Sequence, residues 1–421
     1  MTVTEDRRSI AVVGSGVAGL TAAYTLSLHH RVTLYEADDR LGGHAHTHLL
    51  DRGDGVLEAV DSAFLVYNDR TYPTVCRMFD ELGVTTRETD MSMSVRAGRL
   101  EYAGARGFGG LFPSWTNLAR PRYLRMLSEI TRFHRAAAAL LASTASTDTL
   151  RDFLTRHAFS PYFVEHFMTP LVAAVWSCPP ATTLDYPARY LFVFLEHHGM
   201  LTVFDSPTWR TVVGGAVSYV NAIARRLDEI RLGVRVHGVR RLPVGVCIRA
   251  DGAAPREFDA VVIATHSDQA LELLDRPTTA ERLVLGAIGY STNQAQLHTD
   301  ESVLPRHRRA RASWNYLVTP RRDEVVVTYD VTRLMRLSGP KRFLVTLGGH
   351  DLVSPDAVLA EMTYHHPRYT TESVAAQSLL PTLDDDRIAF AGAYQGWGFH
   401  EDGAASGLRA ARVLQRRGVR V

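Results

Sequence analysis

The chain has 421 residues, 46% hydrophobic and 22% charged, which is ample material for a buried core and enough length for two domains. Its 47 basic and 45 acidic side chains nearly cancel to a formal charge of +2, which argues against the general basic field of a nucleic-acid binder. Cys76, Cys178 and Cys247 are odd in number and far apart, so neither a disulfide framework nor a metal centre is expected, and a cytoplasmic setting fits best. The polar residues Met1 to Arg8 lead straight into a strand, so no signal peptide is expected, and no apolar run reaches membrane-spanning length.

In chain order, Ser9 to Val13 is a short apolar strand, followed by Gly14-Ser15-Gly16-Val17-Ala18-Gly19 and a helix-compatible stretch from Leu20 to Leu28. A strand, tight turn and helix of this kind needs Gly14 for its backbone angles, Gly16 for close approach of a pyrophosphate, and Gly19 for helix-on-strand packing. The helix N-terminus then faces the phosphates. A second strand, Arg31 to Tyr35, ends in Glu36, 22 positions after Gly14, where an acid accepts ribose hydroxyls and disfavours a 2′-phosphate.

The run continues Ala37-Asp38-Asp39-Arg40-Leu41-Gly42-Gly43, which resembles the extended fingerprint of FAD enzymes of the glutathione reductase and amine oxidase class. The resemblance implies that the glycine pair passes close to the phosphate and ribityl portion of FAD and that Arg40 neutralises phosphate charge. His44 and His46 follow at the start of the flavin ring, as hydrogen-bonding loop residues or flavin contacts.

From Tyr72 to Tyr190 the pattern reads as strongly helical, with apolar positions Tyr123, Leu124, Met126, Leu127, Ile130 and Phe133, and is expected to form an inserted lid. Within it, Leu111 to Arg132 interleaves Arg120, Arg122 and Arg125 with Phe112, Trp115 and Tyr123. That stretch suits either a membrane surface or a two-sided helix with a solvated arginine face.

Thr211 to Ala216 precedes a helix from Val217 to Leu227, then strands at Val234-Val236 and Val246-Ile248 and a buried run from Phe258 to Thr265. By resemblance Val236 contacts adenine, although it is equally readable as strand core, and Ala264-Thr265 closes over the nucleotide. β-like runs at Val325-Tyr329 and Phe343-Leu347 indicate a substrate-domain sheet. The last strand, Ile388 to Tyr394, ends in Gly392-Ala393, and Gly396 to Gly403 leads into a helix from Ala404. In the resembling family this helix points its positive end at the isoalloxazine. Ala393 departs from the family where many members place an acid on the ribityl chain.

The whole chain resembles predicted NAD/FAD-binding oxidoreductases of the amine oxidase and phytoene desaturase superfamily, some of them associated with cyclopropane fatty acid synthases. The resemblance implies an α/β fold. Residues 1–71, 206–275 and 376–421 form a Rossmann-like domain that binds FAD non-covalently, including through Gly403. Residues 72–205 and 276–375 form an α+β substrate domain with the helical insertion. Aromatic residues recur where an apolar small-molecule pocket should close: Trp176, Tyr186, Phe192, Phe194, Trp209, Trp314, Tyr316, Tyr394, Trp397 and Phe399. Tyr394, Trp397, His400 and Glu401 are the catalytic candidates, the last two as proton carriers or, for Glu401, as a helix cap. Lys341 is the one lysine of the chain, and the strand Tyr290 to Leu297, where amine oxidases of the superfamily place a lysine near flavin N5, has none. Dehydrogenation, desaturation or double-bond isomerisation is therefore expected ahead of amine oxidation or a non-catalytic partner role.

Overall fold

The computed structural model describes residues 7–143, 147–201, 206–320 and 324–416. Strand β1 (Ser9–Val13), helix α1 (Val17–Ser27) and strand β2 (Arg31–Tyr35) open a five-stranded parallel sheet. Its order is Glu229–Arg231, β2, β1, Ala260–Ile263, Ile388–Phe390, so three remote stretches of chain complete one sheet. Ile10 and Val12 point into one apolar layer and Ala11 and Val13 into another, which is why β1 has no polar alternation. The helix His400–Arg416 lies along α1. A Cβ on Gly407 would stand 2.1 Å from the Ala18 carbonyl oxygen, so glycine sets that spacing.

A seven-stranded sheet forms the second layer system, ordered Val358–Pro367, Tyr290–His298, Leu344–Leu347, Val327–Asp330, Trp314–Leu317, Met93–Ala97, Leu100–Ala103. Only Trp314–Leu317 and Met93–Ala97 pair in parallel. The expectation of continuous helix from Tyr72 is corrected here. Helix α2 (Pro73–Leu82) is followed by three strands, Thr86–Glu88, Met93–Ala97 and Leu100–Ala103, before the helices begin. Met93–Ala97 pairs with Trp314–Leu317 and Thr86–Glu88 with Trp209–Val212, and no local pattern of so short a segment competes with such remote ladders. Likewise the strand expected at Val234–Val236 runs Val236–Arg241, because the Val234 N–H is engaged by the Glu36 carbonyl, and the final helix begins at His400 instead of Ala404.

The helical cover is built on Pro121–Ala142, which buries Tyr123, Met126, Phe133 and Ala137. Phe133 meets Phe153, Phe163 and Phe192 at ring-centroid distances of 5.3 to 6.2 Å, tying Pro121–Ala142 to three further helices by aromatic contacts. No helix among the described residues is long and apolar enough to cross a membrane.

A hairpin of β3 (Thr47–Asp51) and β4 (Leu57–Asp61) places Asp61 under the start of the helix Val217–Ala224. Its carboxylate accepts Thr47 Oγ1 at 2.5 Å and the Ala216 N–H at 3.0 Å on each oxygen, at 1% exposure. Burial pushes its pKa up to about 7 from an ordinary 3.8. The fold therefore favours the protonated form, a contribution complete below pH 3.8 and lost as pH rises through about 7. Asp61→Asn, compared with wild type in denaturant melts, should gain about 3 kcal/mol relative stability between pH 5 and pH 8. Parallel pH profiles for the two proteins would contradict this assignment.

Candidate functional site

A cavity of about 900 Å³ runs from the carboxyl ends of the parallel strands to the face of the second sheet. At its nucleotide end lie Gly14, Ser15, Gly16, Val17, Ala18, Glu36, Ala37, Val236, Ala264 and Thr265. Helix α1 starts at Gly16 with no side-chain cap and no acid in its first turn, so its leading N–H groups are available to an anion. Gly14 has φ +97°, and a Cβ there would stand 2.8 Å from the Ala264 carbonyl oxygen. At Gly16 an added Cβ would meet nothing within 4 Å, leaving space in front of the helix start. Glu36 is held beside it. Ser15 donates its N–H (2.8 Å) and Oγ (2.5 Å) to Oε2, and Asp38 N–H donates to Oε1 at 3.0 Å. This donor-rich helix start, the space before it and a fixed acid fit the pyrophosphate and ribose of FAD.

The other expected cofactor residues divide into wall and support. Arg40, Gly43, His44, Gly392 and Ala393 line the middle of the cavity. Arg40 donates to the Gly43 carbonyl at 2.9 Å, bracing the glycine pair. Gly19, Gly42 and Gly403 lie behind the wall. A Cβ at Gly19 would meet the Gly14 carbonyl oxygen at 1.9 Å, at Gly42 the Ala45 carbonyl oxygen at 2.5 Å, and at Gly403 Val17 Cγ1 at 2.6 Å. Gly403 thus spaces two helices and does not line the cavity, the final helix starting one turn earlier than its sequence suggests.

Tyr394, Trp397 and His400 line the cavity; Glu401 does not. The Glu401 carboxylate accepts the N–H groups of Thr74 and Val75 at 2.9 to 3.1 Å and caps α2. His400 stacks on Phe64 with 3.5 Å between centroids, and its Nε2 is 2.8 Å from the Tyr219 hydroxyl. Burial pulls its pKa down to about 3, which favours the neutral ring at the cavity wall. The indole nitrogens of Trp314 and Trp397 are buried without a partner among the described residues, although both rings line the cavity. A bound ligand or an ordered water can satisfy them.

A polar belt across the middle escaped the sequence reading. Asn293 Nδ2 lies 2.8 Å from His366 Nδ1, and burial beside His266 and His365 pulls His366 down to about 4. With the amide nitrogen donating, the neutral ring carries its hydrogen on Nε2. Tyr364 OH is 2.9 Å from Ser62 Oγ, which is 2.9 Å from His48 Nε2, so a hydrogen-bonded chain leads from the cavity through the hairpin to a half-buried imidazole. His46 meets Tyr364 OH at 3.3 Å on the same route. One signal was available: alternation along Val358–Pro367 puts Met362, Tyr364 and His366 on the inward side. The contributions of Ser62 and Asn293 had none.

At the far end the walls are Leu65, Val66, Ala174, Val175, Trp176, Phe194, Met200, Val345 and Leu347. The carboxylates that line the cavity, Glu36, Asp38 and Glu272, belong to the nucleotide end. Residue Ala295 of the strand Tyr290–His298 faces this chamber, while Lys341 is exposed and donates to the Asp51 carbonyl.

Residues 17–336 match the family of flavin containing amine oxidoreductases. Coproporphyrinogen III oxidase of Mycobacterium leprae is 26% identical over 289 residues, covering 64% of this chain and 62% of that protein, so the match spans less than two thirds of the relative's length. A cofactor-binding variant of putrescine oxidase superposes with TM-score 0.71 at 16% identity, covering 98% of this chain and 99% of that one. A CLA-producing fatty acid isomerase from P. acnes superposes with TM-score 0.70 at 15% identity over 99% and 100%. At such identities the two structures establish the shared fold.

Proposed function

The chain belongs to the flavin-containing amine oxidoreductases and is by that membership an FAD-dependent oxidoreductase, and we propose that it dehydrogenates, desaturates or isomerises an apolar, lipid-like small molecule. The observation that carries this reading is the far chamber: its walls are mainly hydrocarbon and aromatic, with the neutral polar groups of Ser177, His198 and Tyr329 among them and no carboxylate among the described residues facing it. A substrate ammonium would enter without a counter-ion and lose its hydration, at a cost of several kcal/mol. A neutral apolar chain meets matching surface. An association with lipid modification, such as that of cyclopropane fatty acid synthases, fits the same chemistry.

Bound FAD, held non-covalently, supplies a hydride acceptor at its isoalloxazine N5. The chain orients the substrate C–H, excludes water through Trp176, Phe194 and Trp397, and removes the accompanying proton. The hydrogen-bonded chain from Tyr364 through Ser62 to His48 is the exit. As the Tyr364 oxygen takes the proton, its own hydrogen passes to Ser62 Oγ and that of Ser62 to His48 Nε2. Burial and the nearby Arg40 charge hold the His48 pKa low, which favours its onward release. Ser62→Ala and His48→Gln should each lower kcat about tenfold to a hundredfold with FAD content unchanged, and multiple-turnover kinetics in heavy water should show a larger solvent isotope effect in wild type than in Ser62→Ala. Unchanged kcat in both variants would remove the relay.

Anaerobic mixing of the holoprotein with unsaturated lipids and polyenes, and separately with primary and secondary amines, tests the substrate class. Bleaching of flavin absorbance or shifted double bonds with the apolar panel is the expected result. Bleaching by amines followed by fast peroxide release would establish an amine oxidase instead, and no turnover with any panel together with an unchanged cellular lipid profile on deletion would point to a non-catalytic partner.

A further inference from the structure

We propose that the protein docks on anionic lipid bilayers through the surface formed by residues 107–125 and the neighbouring turn at Arg308–Ala310. The inference is independent of what the cavity takes. Trp115, on a short 3-10 turn, is 83% exposed, and Phe108, on the helix Gly107–Leu111, is 66% exposed. Leu118 and Leu124 are also exposed, so four large apolar side chains face solvent within seventeen residues. The segment is not loose. Asn117 Nδ2 donates to the Glu101 and Leu111 carbonyls, and Tyr123 OH donates to Leu111 at 2.7 Å, so the apolar side chains project from a fixed base.

The charge around them is one-sided, although the chain as a whole is nearly neutral. Residues 91–128 hold six arginines and one acid, Glu101, which is buried and accepts the N–H groups of Arg306 and His307. Arg309 lies alongside, its Cδ 3.9 Å from where a Gly109 Cβ would be. Arg99, Arg122, Arg308 and Arg309 are exposed and make no ion pair with a carboxylate among the described residues. Protruding indole and phenyl groups ringed by unpaired guanidinium groups match the two signals that stable bilayer attachment needs, interfacial apolar insertion and attraction to anionic headgroups. An acidic protein partner would satisfy the arginines but would leave the projecting Trp115 without a pocket, so the bilayer is the better fit.

Flotation of the full FAD-loaded chain with vesicles tests the proposal. It should float with equimolar phosphatidylcholine and phosphatidylglycerol, stay behind with phosphatidylcholine alone, and be released by high salt. Arg122→Gln and Arg309→Gln should each weaken vesicle binding about fivefold, and Trp115→Ser should weaken it by at least as much. Flavin absorbance reports that each variant is folded. Since wild-type flotation decides first, a misfolded variant does not rescue the idea. Failure of wild type to float with the anionic vesicles, equal flotation with both compositions, or equally tight binding to soluble polyglutamate would overturn it.

Discussion

Replacing Gly16 with valine is expected to strip the protein of FAD while leaving its fold in place. Gly16 has φ −60° and ψ 173°, backbone that any residue adopts, and an added Cβ meets no atom within 4 Å. The cost to the apoprotein is the weaker N-capping of α1, about 1 kcal/mol, or a shift in Tm of no more than about 4 °C. The valine methyls, however, fill the space in front of the first N–H groups of α1, where a diphosphate must approach. Losing those charge-assisted hydrogen bonds should raise the Kd for FAD more than about a hundredfold. Flavin-fluorescence titration and apoprotein melting check the two halves separately. Retained FAD affinity would show that the pyrophosphate lies elsewhere. Gly14→Ala is a poorer probe, because φ +97° and the 2.8 Å approach to Ala264 would unsettle the fold as well.

The largest effect on stability is expected from Trp176→Ala. Trp176 ends the helix Thr169–Trp176, packs on Tyr186 and Phe194 at centroid distances of 5.4 and 4.7 Å, and donates Nε1–H to the Trp397 carbonyl at 3.1 Å. Truncation opens a void at the junction of the helical cover and the flavin-closing turn, and should cost about 3–5 kcal/mol in urea melts of the FAD-saturated protein. Trp176→Phe keeps most of the packing and loses the hydrogen bond, so about 1 kcal/mol is expected. Because the same indole positions the turn that carries Trp397, flavin reduction by an apolar substrate should also slow about tenfold or more in the alanine variant. A loss under about 1 kcal/mol for Trp176→Ala would mean that cover and turn are not mechanically joined there.

How much of this was legible in the residues depends on how local each constraint is. The turn from Gly14 to Gly19 and the acid at Glu36 were readable because the requirements of a phosphate-binding turn act within a few positions. The strand Met93–Ala97 reads as helix in the sequence because it is held by Trp314–Leu317, more than two hundred residues away, and Leu100–Ala103 follows it as the next strand of the same sheet. His400 and Glu401 looked like a catalytic pair. In a helix, neighbours point about 100° apart, so one reaches the cavity wall and the other the start of α2. The arginine-rich stretch was visible as a pattern, but which of its aromatics are buried, such as Tyr123, and which protrude, such as Trp115, was not.

By itself, then, the order of residues determined the cofactor class, the parallel core around β1 and the absence of a lysine from the strand beside the flavin site, each a matter of residue type at close spacing. Only the tertiary structure decided that the far chamber has no carboxylate among the described residues facing it, and that Ser62 meets Tyr364 and Asn293 meets His366. It also decided that burial favours the neutral ring of His400. The physical reason is that desolvation and hydrogen-bond partnership are properties of what surrounds a group, and in this fold those surroundings come from segments far apart along the chain.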